Sequence, residues 1–400
     1  MNQKQNNRWL TVVAGVCIQL CSGIAYIWGV FREDLKAHLK WQDTDAMLAF
    51  SLLLAMLTFG CMFGGLIAKK FSPRVAVAAG GIVMGLGFIL ASFAQANCFY
   101  FVWIGYGLLG GFGSGMAYTN VIAVTQKWFP DKRGLITGII ISGLGFSGLI
   151  FTPIMSNIVN KIGALGAFTW IGVAIILISV IGSIFMVNPP QNFVPKGWTP
   201  KESKEITKKS FTPGEAFKTP QMYLVILAFM LASAAGFMLI PNAKVLAIKG
   251  GMTPANAVIG VAIVSLFNAL GRLVWGRVTD KIGCKKTLMI LMVAACISIF
   301  PVAFITSYWV LAIIAVVGFI YGGFLGVFPV LSADYFGTKH GGQIYGMVMF
   351  GFSAGAVIFS YTAGYFSQIG NLKIAFFIAA AAALVGLLII AVLKPPKVKE

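Results

Sequence analysis

A chain of 400 residues that is 58% hydrophobic and only 10% charged, with mean hydropathy +0.89, is not a soluble globular domain. Its 30 Lys and Arg outnumber 11 Asp and Glu, for a net charge of +19. The cations are dispersed over short breaks between apolar runs, which excludes a continuous nucleic-acid surface. His38 and His340 both read as loop residues, and the six Cys form no ligand cluster, so nothing supports a metal site or a proton relay through histidine.

Twelve apolar runs follow one another, at about 9–31, 44–68, 74–95, 97–127, 134–160, 165–187, 220–248, 254–279, 284–306, 307–334, 340–369 and 371–393. Most exceed the roughly 20 residues needed to cross the hydrocarbon core as a helix. The weakest boundary falls near Thr306 to Trp309. The first run follows a short polar stretch and is long enough to span, so it reads as a retained helix rather than a cleaved signal. Lys69, Lys70, Arg74, Lys132, Arg133, the cluster from Lys196 to Lys218, and Lys281, Lys285 and Lys286 all fall on one side of this arrangement. That asymmetry puts both termini in the cytoplasm, and a multi-pass protein of the plasma (inner) membrane is expected.

Residues 188–219 form a polar, Pro- and Lys-rich connection between the sixth and seventh runs. They divide the chain into 1–187, a six-helix bundle, 188–219, a central cytoplasmic loop, and 220–400, a second six-helix bundle. Landmarks repeat across that loop. WFPDKRG (128–134) is answered by YFGTKHG (335–341), and Gly111, Phe112 and Gly115 by Gly318, Phe319 and Gly322 at the same offset. GLIAKKFSPR (65–74) is answered by GRVTDKIGCKK (276–286). Weak repetition about a central loop is how many secondary carriers are organised, with substrate bound centrally. Most of the 47 glycines are read as serving close helix packing.

Arg272 is the one ionisable residue well inside an apolar run. Eight residues separate it from Asp280, about 12 Å along a helix at 1.5 Å per residue, which puts it near the bilayer midplane. A guanidinium there costs several kcal/mol, and such residues usually mark a pathway. With no interior carboxylate as partner, it points to an anionic ligand. The bland alternative is an Arg that snorkels to the interface or braces helix carbonyls.

The loop GRVTDKIGCKK, with Gly276, Asp280, Lys281, Gly283, Lys285 and Lys286, resembles the signature of the major facilitator superfamily. The first-half copy departs from it: Lys69 stands where the Asp is expected and Ser72 where the Gly is. A narrower resemblance is to the oxalate–formate antiporters and monocarboxylate transporters. It rests on KWFPDKRG, on Tyr118 ten residues before Trp128, on NALGRLVWG around Arg272, on the stretch ending in YFGTKHG and on SGIAYIWGVF around Tyr26. The resemblance implies an all-α membrane protein of twelve transmembrane helices in two pseudo-symmetric six-helix bundles, alternating access, and a small carboxylate bound near Arg272.

It also bears on the substrate. The oxalate exchangers place a Lys where Phe352 stands here, so one Arg facing an aromatic favours a lactate- or pyruvate-like acid over a dicarboxylate. The animal monocarboxylate transporters pair this Arg with an Asp four residues earlier. Here that position is Asn268, which can hydrogen-bond an oxygen but cannot carry a proton. Proton symport and anion exchange both remain open. The remaining candidate contacts are Tyr118, Asn120, Tyr321, Tyr26 and Trp28, polar or aromatic groups within apolar runs, with Asp280, Lys281, Lys132 and Arg133 gating or bracing the cytoplasmic side. The expected partners are a small carboxylate, the lipid bilayer and, for symport, protons. No nucleic acid, metal, cofactor or catalytic group is expected, and the carrier is expected to be monomeric. The alternatives are an oxalate–formate type antiporter and a non-transporting carboxylate sensor.

Overall fold

In a computed structural model, residues 8–23, 27–41, 43–190, 193–195, 210–253, 258–304 and 309–396 are described, and they form helices and turns with no strand among them. The first half comprises α1 (Arg8–Ser22), α2 (Trp28–Leu39), α3 (Asp43–Lys70), α4 (Pro73–Ala91), α5 (Tyr100–Val102), a π-helical stretch (Trp103–Gly110) that leads without a break into α6 (Gly111–Trp128), and α7 (Arg133–Ser183). After α8 (Pro213–Phe217) come α9 (Pro220–Ala232), α10 (Ala234–Leu239), α11 (Ala243–Lys249), α12 (Val258–Ile282), α13 (Cys284–Ile299), α14 (Trp309–Phe336), α15 (Gly341–Gln368) and α16 (Leu372–Val392).

Eight helices among the described residues are long and apolar enough to cross a membrane. One of them, α7, has 51 residues and is broken at Gly163, whose φ of 74° suits only a residue without Cβ. It therefore supplies two crossings, as the runs at 134–160 and 165–187 predict. With α1 and α2, the π stretch and α6, and α12, twelve spans result. The boundary near Thr306 lies outside the described residues.

Helix ends follow local chemistry. Ser72, which replaces the glycine of the family pattern, caps α4 by accepting from Val75 N at 3.3 Å, with Pro73 in the first turn. In the second-half loop, Gly283 keeps the glycine role at φ 86°. Beyond the Gly163 break, the Ala164 N–H donates to Asp34 Oδ2 at 2.7 Å, which caps the new helix. His38 is not in a loop: α2 continues past the apolar run through Leu39, and Lys40 stops it in the left-handed conformation at φ 56°. Its charged residues make α2 the less apolar part of the first span, while Phe31, Leu35 and Leu39 are buried in the core of the first unit.

The chain forms two compact units. One contains residues 1–131, 143–199 and 340–347; the other contains 132–142, 200–339 and 348–400. The core of the first gathers Phe31, Phe88, Tyr106, Phe168 and their neighbours. That of the second gathers Met238, Leu239, Ile299, Ile314 and Phe376.

The repeated glycines perform the same task in each unit. A Cβ on Gly111 or Gly115 would strike the carbonyls of Leu53 or Leu57, so α6 lies directly on the backbone of α3. A Cβ on Gly322 would strike the carbonyl of Asn268, and one on Gly318 would come within 3.1 Å of that of Val264, so α14 lies on α12. Small residues give this contact where lipid supplies no hydrophobic drive for helix association.

Candidate functional site

α12 carries Asn268 and Arg272 one turn apart, and close helix packing encloses that turn within the second unit. On one side is α14, where Gly326 lies near the carbonyl of Arg272 and a Cβ on Gly271 would strike the carbonyl of Phe319. On another is the start of α7: a Cβ on Gly138 would strike the carbonyl of Arg272, and Gly134 and Gly276 oppose each other in the same way. Arg272 is consequently only 3% exposed and does not snorkel. Its Nη1 donates to the carbonyl oxygen of Ile141, while Nε is buried without a partner. Among the described residues, no carboxylate lies within ion-pair distance of it. One neutral carbonyl is a modest partner for a group with five N–H donors and a full charge.

Asn268 is buried on the same helix. Tyr321 and Phe352 are also buried and share Phe237 as a neighbour, with ring centroids 5.8 Å and 5.0 Å away. Phe352 further packs on Phe229 at 5.6 Å, and Phe229 stacks on Phe328 at 4.3 Å. Phe352 thus belongs to an aromatic cluster where a lysine would meet rings rather than counter-charges.

The first unit holds Tyr118, Asn120 and Trp28. Trp28 stacks on Tyr106 at 4.4 Å, and Tyr106 stems from the π-helical stretch, a geometry often found at functional positions. The Trp28 Nε1 is buried and unpartnered. The Tyr118 ring lies 6.2 Å from that of Tyr345, and the Tyr118 carbonyl accepts from Gln19 Nε2 at 3.4 Å. Asn120 Nδ2 donates to Met116 O at 2.8 Å within its own helix. Its amide also fills the junction of α3, α6 and α15: Cβ atoms on Gly64 and Gly342 would come within 2.8 and 3.3 Å of it. Tyr26 lies outside the described residues.

Of the loop-motif residues, Asp280 has the clearest geometry. Its Oδ1 and Oδ2 accept from Gly134 N at 2.7 Å and Leu135 N at 2.8 Å, so the carboxylate closes the N-terminus of α7. Arg133 Nη1 pairs with Asp334 Oδ1 at 3.1 Å, and the Cys284 thiol donates to Asp334 Oδ2 at 3.1 Å. In the first unit, Asp131 of the same WFPDKRG motif takes Arg8 Nη1 at 3.0 Å, while that guanidinium covers the Phe129 ring at 4.3 Å. Lys132 and Lys281 are exposed. Asp280→Asn keeps the side-chain shape but loses the charge and one acceptor. A loss of about 0.5–2 kcal/mol is expected, read as a lower Tm of the purified protein; an unchanged Tm would remove the capping role.

Gln19, Ile141, Asp334 and Gln343 escape the sequence reading. Gln19 is 0% exposed in α1, with Oε1 buried and unpartnered, and Gln343 Oε1 is likewise unpartnered. A lone amide inside an apolar run is the signal that could have found Gln19.

The model of the Major Facilitator Superfamily matches residues 12–263 and 225–400. The chain is 29% identical over 356 residues to the MFS-type transporter YhjX of Escherichia coli (strain K12), covering 88% of this chain and 87% of that protein. It is 29% identical over 345 residues to the oxalate:formate antiporter of Oxalobacter formigenes, covering 85% and 80%. Against monocarboxylate transporter 12-B of Danio rerio it is 21% identical over 371 residues, covering 86% and 77%. Among solved structures, the FucP transporter in the outward conformation superposes with a TM-score of 0.70 at 13% identity, over 95% of this chain and 97% of that one. That likeness concerns the fold.

Proposed function

The chain belongs to the Major Facilitator Superfamily of membrane transporters, and we propose that it carries small monocarboxylates of the lactate and pyruvate kind by alternating access. The observation that supports this reading is Arg272: a buried cation with a neutral carbonyl as partner and no carboxylate near it among the described residues. An incoming carboxylate neutralises it and offsets its desolvation, so occupancy favours the states that enclose it. In this reading Arg272 holds the carboxylate, and Asn268 takes a hydroxyl or keto oxygen. Tyr321 and Phe352 supply an aromatic wall suited to a short apolar tail. Tyr118, Asn120, Tyr26 and Trp28 belong to the substrate path within the first half, and Asp280, Lys281, Lys132 and Arg133 brace the cytoplasmic side. The functional halves are 1–187 and 220–400, joined by the 188–219 loop, with both termini in the cytoplasm of the plasma membrane.

Coupling is by proton symport or anion exchange. Asn268 cannot bind a proton, so in the symport form the substrate's own carboxylate brings it. The resemblance to an oxalate:formate antiporter favours a second reading, oxalate–formate exchange. Phe352 in its aromatic cluster opposes that reading, because the second charge of oxalate finds no cation there. Counterflow in proteoliposomes with lactate, pyruvate, formate and oxalate, with and without a pH gradient, tests both. Lactate or pyruvate is expected to exchange or accumulate at least about tenfold better than oxalate, a difference of roughly 1.4 kcal/mol. Preference for oxalate would install the second reading, and indifference to all four acids would end both.

A further inference from the structure

We infer that Arg272 is a two-acceptor switch: the guanidinium that takes the substrate carboxylate is, without substrate, the clasp that holds the end of the 132–142 segment in the second unit. This rests on the anion-binding role proposed for Arg272 and extends it to coupling. The segment is distinctive because the chain before and after it belongs to the first unit, whereas 132–142 packs with the second.

It is fastened at both ends, by different chemistry. At its start, the Gly134 and Leu135 amides bind Asp280, and Arg133 binds Asp334. Asp280 lies about 12 Å along α12 from Arg272, beyond the reach of a small acid held there. At its far end, the Ile141 carbonyl accepts from Arg272 Nη1. Between them, Gly138 lets the segment's backbone touch that of α12 at Arg272 itself, which makes Gly138 the positioning residue for the clasp.

The two acceptors for the guanidinium are unequal. A carboxylate is charged and can engage two N–H groups, whereas a peptide carbonyl is neutral and single. Nε is enclosed by protein, and Ile141 takes the Nη end, where a carboxylate would compete with it for the guanidinium. A bound acid therefore displaces Ile141. The segment is then held only by its first turn, and occupancy at Arg272 becomes freedom in α7.

Hydrogen–deuterium exchange on the full-length protein in lipid nanodiscs, with and without saturating lactate, tests this, with binding of labelled lactate measured on the same preparation. Exchange over residues 136–145 is expected to rise about threefold or more with lactate, while the amides of Gly134 and Leu135 stay protected. Gly138→Ala is expected to show the raised exchange already without lactate, and to bind lactate about threefold more tightly because the competing acceptor is gone, with slower counterflow. Should that variant fail to fold, the wild-type pair of measurements decides. Lactate binding with unchanged or lower exchange over 136–145 would overturn the switch alone and mean that the acid engages Arg272 without displacing Ile141. Absence of binding by lactate, pyruvate, formate and oxalate alike would overturn the monocarboxylate reading and the switch with it.

Discussion

Arg272→Met is expected to abolish carboxylate uptake while leaving the substrate-free protein as stable as before, or more so. Truncating one partner of a buried, hydrogen-bonded charge pair costs about 2–5 kcal/mol, roughly 30-fold to several-thousand-fold in affinity. The stability side runs the other way. Arg272 is desolvated against a single carbonyl, and replacing a poorly compensated buried charge with an apolar side chain of similar volume is often neutral or stabilising. Arg272→Lys separates charge from geometry: it keeps the cation but loses the planar fork, and an intermediate loss of affinity, about tenfold, is expected. The checks are the Tm of each purified variant and its uptake of labelled lactate. Normal uptake by Arg272→Met would end the anion-binding role, whereas a Tm that falls with uptake would mean that the Ile141 contact contributes more to stability than the desolvation of the guanidinium costs.

This split between function and stability follows from what the sequence could and could not reveal. The spans were legible because an apolar run longer than a bilayer crossing is a local property. The pairing of Gly111 and Gly115 with Gly318 and Gly322 was legible because a repeat leaves the same residues at the same offset. Arg272 stood out against an apolar background for the same local reason. Its partner did not. Ile141 contributes a carbonyl, which every residue has, and it lies 131 residues away. Asp280 appeared as one letter of a loop motif, but its bonds to the amides of Gly134 and Leu135 depend on how α12 and α7 pack. The Arg133–Asp334 pair spans 201 residues, and nothing about Asp334 marks it in a sequence that ends a helix there. Gln19 was overlooked for another reason: an amide among small residues disturbs hydropathy little, although at 0% exposure its unpartnered Oε1 is a costly group to bury. His38 is polar and so resembles a loop residue in the sequence, yet α2 begins within the apolar run at Trp28 and carries on through Leu39.

Asn268→Asp should make the carboxylate site proton-sensitive through its own side chain. The position lies one turn before Arg272 on α12, the spacing and order that favour an acid–base pair within a helix. At neutral pH the introduced carboxylate is ionised and occupies the guanidinium, so it competes directly with substrate. Affinity for lactate is expected to fall about tenfold or more, since a partner held on the same helix needs no translational ordering to bind. The sign of the pH effect follows. The neighbouring cation favours the charged form of the new acid, so its folded-state pKa is depressed below the ordinary carboxylate value. Binding of the anionic substrate in its place reverses that and draws a proton onto the acid. Lactate affinity and uptake in the variant should therefore rise as pH falls from 8 towards 5, and an inwardly directed proton gradient should drive accumulation. The wild type has Asn268 and no titrating group at that place, so a comparison of the two profiles isolates the introduced acid from protonation of the substrate itself. Uptake measured at several pH values on both proteins decides the matter: parallel profiles with equal affinity would mean that position 268 does not reach the guanidinium, and that the turn from Asn268 to Arg272 does not form the carboxylate site.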